Sequence, residues 1–152
     1  MANTSAVCTS FKVELLQGDH NFTTSTGDTF KIALYTSSAT LGAATTDYSA
    51  SNEITNTSGT AYTAGGKALT IATSSPTSTG TTAWANFDQI SWTSASFTAN
   101  ACLVYNTTTG TSTSTTESCF AVAFGGDKTV SSGTFTIQFP TADATDAILR
   151  IA

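Results

Sequence analysis

Short runs in which apolar residues occupy every second position recur along this chain, and no long helical period competes with them. Thr134-Phe135-Thr136-Ile137-Gln138-Phe139 is the cleanest, with Phe135, Ile137 and Phe139 on one face and polar partners on the other. Strict alternation places one face of a strand in a core and the other in water, so such a chain is confined to β architectures. Thr29-Phe30-Lys31-Ile32-Ala33-Leu34-Tyr35 repeats the pattern. Ala68-Leu69-Thr70-Ile71, Ala83-Trp84-Ala85-Asn86-Phe87 and Ile90-Ser91-Trp92 add further runs. Ala101-Cys102-Leu103-Val104-Tyr105 and the run from Cys119 to Phe124 are nearly all apolar, and Ile148-Leu149-Arg150-Ile151 closes the chain. These make about eight short strands separated by Ser, Thr and Gly loops. Pro140 stops the last alternating run, and Gly125-Gly126-Asp127-Lys128 is a turn signal after Phe124.

Composition points the same way. Only 10 % of the residues are charged, against about 25 % in an ordinary soluble domain. Ser and Thr fill about a third of the 152 residues. Thr is β-branched and suits strands, whereas Ser suits turns. One short helix is predicted near the N-terminus, in Ser10-Phe11-Lys12-Val13-Glu14-Leu15-Leu16-Gln17-Gly18, with Ser10 as its cap and Gly18 as its left-handed stop. Phe11, Val13 and Leu15 also permit a strand there. The predicted fold is all-β: a jelly-roll-like antiparallel sandwich of about eight strands, with an immunoglobulin-like sandwich as the alternative. Strand order is not legible in the pattern. Residues 1–10 are small and polar and are expected to form a flexible arm, ahead of a single domain over 11–152. The Ser/Thr-rich segments 73–82 and 107–116 are expected as exposed loops.

The formal net charge is −5, and the five basic residues, Lys12, Lys31, Lys67, Lys128 and Arg150, are scattered. No basic stripe exists to neutralise phosphates, so neither nucleic acid nor an anionic membrane surface is an expected partner. No stretch reaches the ~20 apolar residues of a helical membrane span. Residues 1–10 lack the charged and apolar regions of a signal peptide.

The residues that carry chemistry form no recognisable set. The three cysteines, Cys8, Cys102 and Cys119, match no metal spacing. Cys102 and Cys119 lie in apolar runs and read as small core residues, with a disulfide between them left open. His20 stands alone beside Asp19 and is expected to be structural. The acids Asp19, Asp28, Asp47, Asp88, Asp127, Asp143 and Asp146 fall mostly in turns, and Glu14, Glu53 and Glu117 are dispersed. No pair announces the close carboxylates of a glycosidase. Asp143 and Asp146 are too few for calcium. Gly65-Gly66-Lys67 and Gly125-Gly126-Asp127-Lys128 lack the context of a phosphate loop and read as hairpin or bulge turns. Sequons at Asn3, Asn21, Asn56 and Asn106 are expected by chance in so Ser/Thr-rich a chain. A Thr array of the ice-binding kind needs a fixed repeat, which is missing. Exposed Trp84, Trp92, Tyr48, Tyr62 or Tyr105 would suit sugar stacking, although Trp84 and Trp92 sit in strand runs. No catalytic residue, cofactor or metal is therefore expected, and the interface residues stay unassigned.

Several stretches together resemble a family of small structural proteins encoded by tailed bacteriophages. They are Ser10-Phe11-Lys12 with Glu14-Leu15-Leu16, Thr29-Phe30-Lys31-Ile32-Ala33-Leu34-Tyr35-Thr36, Asn52-Glu53-Ile54 and Tyr62-Thr63-Ala64-Gly65-Gly66. Trp92-Thr93-Ser94-Ala95-Ser96-Phe97-Thr98-Ala99, Leu103-Val104-Tyr105-Asn106, Phe124-Gly125-Gly126-Asp127-Lys128 and Phe135-Thr136-Ile137-Gln138-Phe139-Pro140 complete them. They cover nearly the whole chain and are strand and turn residues, so they speak to fold more than to a site. The segment 107–116 is longer than the family pattern. The resemblance implies a non-enzymatic virion component made in the bacterial host cytoplasm. A capsid decoration, or cement, protein is the foremost expectation: a dimer or trimer on the capsid exterior that binds the major capsid protein. A tail, neck or fibre component with a glycan-binding, host-recognition role is the alternative.

Overall fold

The structure is a computed structural model, and it describes residues 2–55, 61–108 and 114–152. Asn56 and the middle of the 107–116 segment lie outside the described residues. The elements in chain order are β1 (Ala6–Val7), α1 (Thr9–Gln17), β2 (Phe30–Tyr35), β3 (Lys67–Ala68), β4 (Thr77–Thr79), β5 (Thr82–Ala85), β6 (Ile90–Asn106), β7 (Ser118–Ile137) and β8 (Leu149–Ile151). They build two antiparallel sheets, one of five strands in the order β1-β7-β6-β2-β3 and one of three in the order β4-β5-β8. The all-β sandwich with one short helix is therefore the fold of this chain.

The eight strands divide the sequence differently from the eight expected runs. The runs at 90–92 and 101–105 belong to one strand, β6, and those at 119–124 and 134–139 fall largely in its partner β7. Gly125-Gly126 does not end a strand. Ala99 pairs with Lys128 and Ala101 with Ala123, so three extra residues bulge out of β7 at this point. Gly125 (φ +72) and Gly126 (φ +141) supply the backbone angles that such a bulge needs. Smaller register shifts at Ser94 (φ +52) and Ser132 (φ +47) add to the local twist of the pair. Apart from buried Ser75, the segment 73–82 is largely exposed as expected, but residues 77–82 belong to a hairpin rather than a loop. Thr79 pairs with Thr82 across a two-residue turn that begins at Gly80 (φ +62).

Residues 2–10, expected as a loose arm, run instead along the body of the protein. Asn3 donates through Nδ2 to Thr36 O and Asn100 Oδ1, and its Oδ1 accepts Leu41 N–H. Thr4 N–H donates to Leu41 O, and β1 adds to the edge of β7 with Ala6 opposite Ala121. A polar, low-hydropathy segment can dock in this way because its main chain completes a sheet edge, and that gain does not register as apolar periodicity.

Helix α1 also starts earlier than expected. Cys8 holds the cap position and offers no side-chain hydrogen bond, while Ser10 lies inside the first turn. At the other end Gly18 (φ +81) takes the left-handed position, and its N–H and the next one return to Leu15 O and Glu14 O. Phe11 is the buried anchor of the helix. Its ring meets Phe22, Phe120 and His20, and Phe22 stacks on Phe30, with Phe87 and then Phe139 continuing the cluster. A second cluster, Tyr62, Trp92, Phe97, Phe135 and Phe124, lies along the β6–β7 pair. Leu16, by contrast, is 90 % exposed.

Cys102 and Cys119 are buried core residues as expected, but they do not face one another. Cys102 lies opposite Val122, whereas Cys8 donates its N–H to Cys119 O at 3.0 Å. All three thiols are free.

Candidate functional site

Two buried polar clusters hold the groups able to do chemistry. The first surrounds Glu53, whose side chain is buried among aromatic rings. Strand β3 covers only Lys31 and Ile32 of β2, so the next main-chain groups of β2 need other partners. Leu34 N–H donates to the Tyr62 hydroxyl (2.9 Å), and Ile54 N–H donates to Leu34 O. The Tyr62 hydroxyl in turn donates to Glu53 Oε1 (2.6 Å), Gly65 N–H donates to the same oxygen (2.8 Å), and Tyr48 donates to Oε2 (2.7 Å). Tyr105 stacks on Tyr48 at 4.6 Å and donates to Gly65 O. Tyr35 lies across an isolated bridge from Glu53 and donates to Ser49 O. All four tyrosines of the chain therefore gather around one carboxylate. Both carboxylate oxygens receive donors from within the fold, so the cluster is a structural clasp.

Burial pushes all four phenols up, with the Glu53 charge adding to the effect. Tyr105 reaches about 12, and Tyr35, Tyr48 and Tyr62 go higher. Burial likewise pushes the Cys8 thiol up to about 11, Cys102 to about 12, and Cys119 well above its ordinary value. Each of these groups holds its proton more tightly folded than unfolded. Their contribution is complete below the unfolded values of 9.0 for thiols and 10.0 for phenols, and it is lost as pH rises toward the folded ones. Thermal midpoints are thus expected to fall steeply between pH 9 and 12, with phenolate absorbance appearing together with unfolding. A smooth phenolate titration of the folded protein near pH 10 would contradict this account.

The second cluster lies at the end of α1. Gly18 turns the chain back, so His20 returns along the helix and its Nε2 sits 3.0 Å from Glu14 Oε2. His20 Nδ1 faces Asn106 Nδ2 at 3.0 Å. The same amide donates to Asp28 Oδ2 (2.7 Å), and its oxygen accepts Thr108 N–H. Those two partners orient the Asn106 carboxamide, so Nδ1 is an acceptor and the ring proton rests on Nε2, directed at Glu14. Glu117, just before β7, joins from the far side of the chain. It is 4 % exposed, one of its carboxylate oxygens has no partner, and ligand atoms of Glu14, His20 and Glu117 all lie within 4.8 Å of one another.

Three of the other acids accept hydrogen bonds from the fold. Asp143 Oδ1 accepts the N–H groups of Thr145 and Asp146 in a tight turn, Asp47 accepts Ser114 and Thr116, and Asp127 accepts Asn100. Gly65-Gly66 is a turn, as expected, with φ of +83° and +71°. Of the aromatics considered for sugar stacking, Trp84, Trp92, Tyr62 and Tyr105 are buried, and Tyr48 is half-buried with its ring against Tyr105. An open groove of about 910 Å³ runs beside the 39–52 segment and is lined mainly by Ala, Thr and Ser, with Asp47 its one acid. A second, about 400 Å³, lies between α1 and the β5–β8 pair, lined by Leu15, His20, Phe22, Trp84, Leu149 and Ile151.

The second cluster was not legible in the sequence. Glu14 and His20 are six residues apart across a helix end, and Glu117 follows almost a hundred residues later, so no spacing connects them. The left-handed stop expected at Gly18 was the one available signal. Comparison with known protein families, with characterised proteins and with solved structures finds no match to this chain.

Proposed function

We propose that this protein is a non-enzymatic structural component of a tailed-phage virion, a cement protein that binds the outer capsid shell. The observation that carries the reading is the β6–β7 pair. Strand β2 lies against only residues 101–106 of β6, and β1 against only residues 120 and 121 of β7. Residues 90–99 and 128–137 therefore pair as strands only with each other. They form a two-stranded ribbon roughly 33 Å long whose outer edges carry no strand partner among the described residues. Its outward side chains are short and polar, such as Thr98, Thr129, Ser131 and Thr134. A long ribbon with open main-chain edges suits lateral contact with a neighbouring subunit better than it suits a cleft.

The family resemblance of the sequence supports the same reading, and so does the engagement of Glu53 and the turn acids in holding the fold. In this proposal the ribbon, rather than the docked N-terminal segment, makes the contacts with the major capsid protein and with further copies in a dimer or trimer. A specific contact of this kind buries about 1,200–2,000 Å².

The test is co-sedimentation of the purified protein with phage shells assembled without it, and separately with isolated tails. Saturable binding to shells at many copies per particle is expected. Binding to tails alone would replace the cement role with the tail or fibre role. Binding to neither particle would overturn the virion reading.

A further inference from the structure

We propose that Glu14, His20 and Glu117 bind a divalent first-row transition ion, with Zn²⁺ the best match, tying α1 to the start of β7. The site goes beyond the virion reading and does not depend on it.

Three observations converge. One nitrogen and two carboxylate ligands come from three separate segments to within 4.8 Å of one another. Two carboxylates meet there, and the one N–H seen between them, His20 Nε2–H, is directed at Glu14 rather than at Glu117. The Glu117 oxygen without a partner is the sharpest of the three, because a buried acceptor left unmatched is costly. A dication answers both the missing partner and the excess of negative charge. One His and two carboxylates with a water in the fourth position is a tetrahedral N,O set suited to zinc. Calcium takes 6–8 oxygens, which this cluster does not offer.

The geometry also fixes what loading requires. Zinc–ligand bonds of roughly 2.1 Å place tetrahedral ligands about 3.4 Å apart, so a pair at the 4.8 Å limit must close by about 1.4 Å. Glu14, whose side chain is 18 % exposed, lies at the rim and has room to move. Nε2 must release its proton, which passes to Nδ1. Asn106 then turns its carboxamide so that the oxygen receives Nδ1–H, giving up its present bonds to Asp28 and Thr108. That exchange costs the site part of its affinity.

The experiment uses the full chain, dialysed against chelator and then titrated with ZnCl₂ or CoCl₂. Cobalt is expected to bind one per chain with visible d–d bands. Zinc at about 100-fold over its dissociation constant is expected to raise the thermal midpoint by about 5–10 °C. Glu117→Gln keeps the side-chain shape and is expected to fold yet lose the midpoint shift. Glu14→Gln at the rim tests the same point, should the buried variant fail to fold. Absence of stoichiometric cobalt binding, or an undiminished zinc shift in the variants that fold, would overturn the site.

Discussion

Glu53→Ala is expected to lower the unfolding free energy by about 4 kcal/mol, a large share of what a domain of this size has. The truncation removes the acceptor of Tyr48, Tyr62 and Gly65 N–H at once. It also opens a cavity among tyrosines that are themselves buried. The loss propagates to β2, because the Tyr62 hydroxyl is the acceptor that satisfies Leu34 N–H where β3 has ended. Glu53→Gln keeps the volume and one carbonyl oxygen. A phenol facing the new amide can rotate and accept, so the expected loss is only about 1–2 kcal/mol. Denaturant unfolding of the two variants checks the account. Equal and small losses would mean that the four tyrosines hold this edge without the carboxylate.

Gly66→Ala is expected to cost about 3 kcal/mol, and Gly65→Ala about 1–2. Both residues have positive φ, so each alanine bears the strain of a left-handed backbone. They differ in what a β-carbon meets. At Gly65 the nearest atom is the Tyr105 hydroxyl at 3.6 Å, an ordinary contact. At Gly66 the β-carbon falls on the main-chain carbonyl of Ile32, which cannot move aside without breaking the pairing of Ile32 with Lys67. The difference between the two midpoints isolates the steric part from the conformational part. Indistinguishable losses would show that the Gly66 turn can lift away from β2.

Much of the fold was legible in residues close together in the chain. The period-2 runs at 29–35 and 134–139 identify strands because alternation records one buried and one wet face, and Gly18 and Gly65-Gly66 announce where the chain must turn. Where expectation and structure part, the deciding contact is distant. Ser10 is a better cap residue than Cys8, yet Cys8 N–H is held by Cys119 O, and the helix begins there. Residues 2–10 carry no apolar signal, and the edge of β7 docks them. Gly125-Gly126 reads as a hairpin or bulge turn because glycine permits either, and the register of β6 decides for a bulge within one long strand.

The buried clusters follow the same division. Glu53, Tyr62 and Gly65 lie within a dozen residues, and a carboxylate near two glycines and a tyrosine says little until β2 runs out of strand partners and demands one. Glu14, His20 and Glu117 say nothing at all in sequence, because their meeting depends on a helix reversal and on where β7 begins. Alternation, Ser/Thr content and scarcity of charge were enough to make this chain a β sandwich, since burial of one strand face is a local property of the sequence. Which strands lengthen, what occupies their edges and which acids share a buried space are decided only in three dimensions, since main-chain groups and carboxylates choose partners by distance in space rather than along the chain.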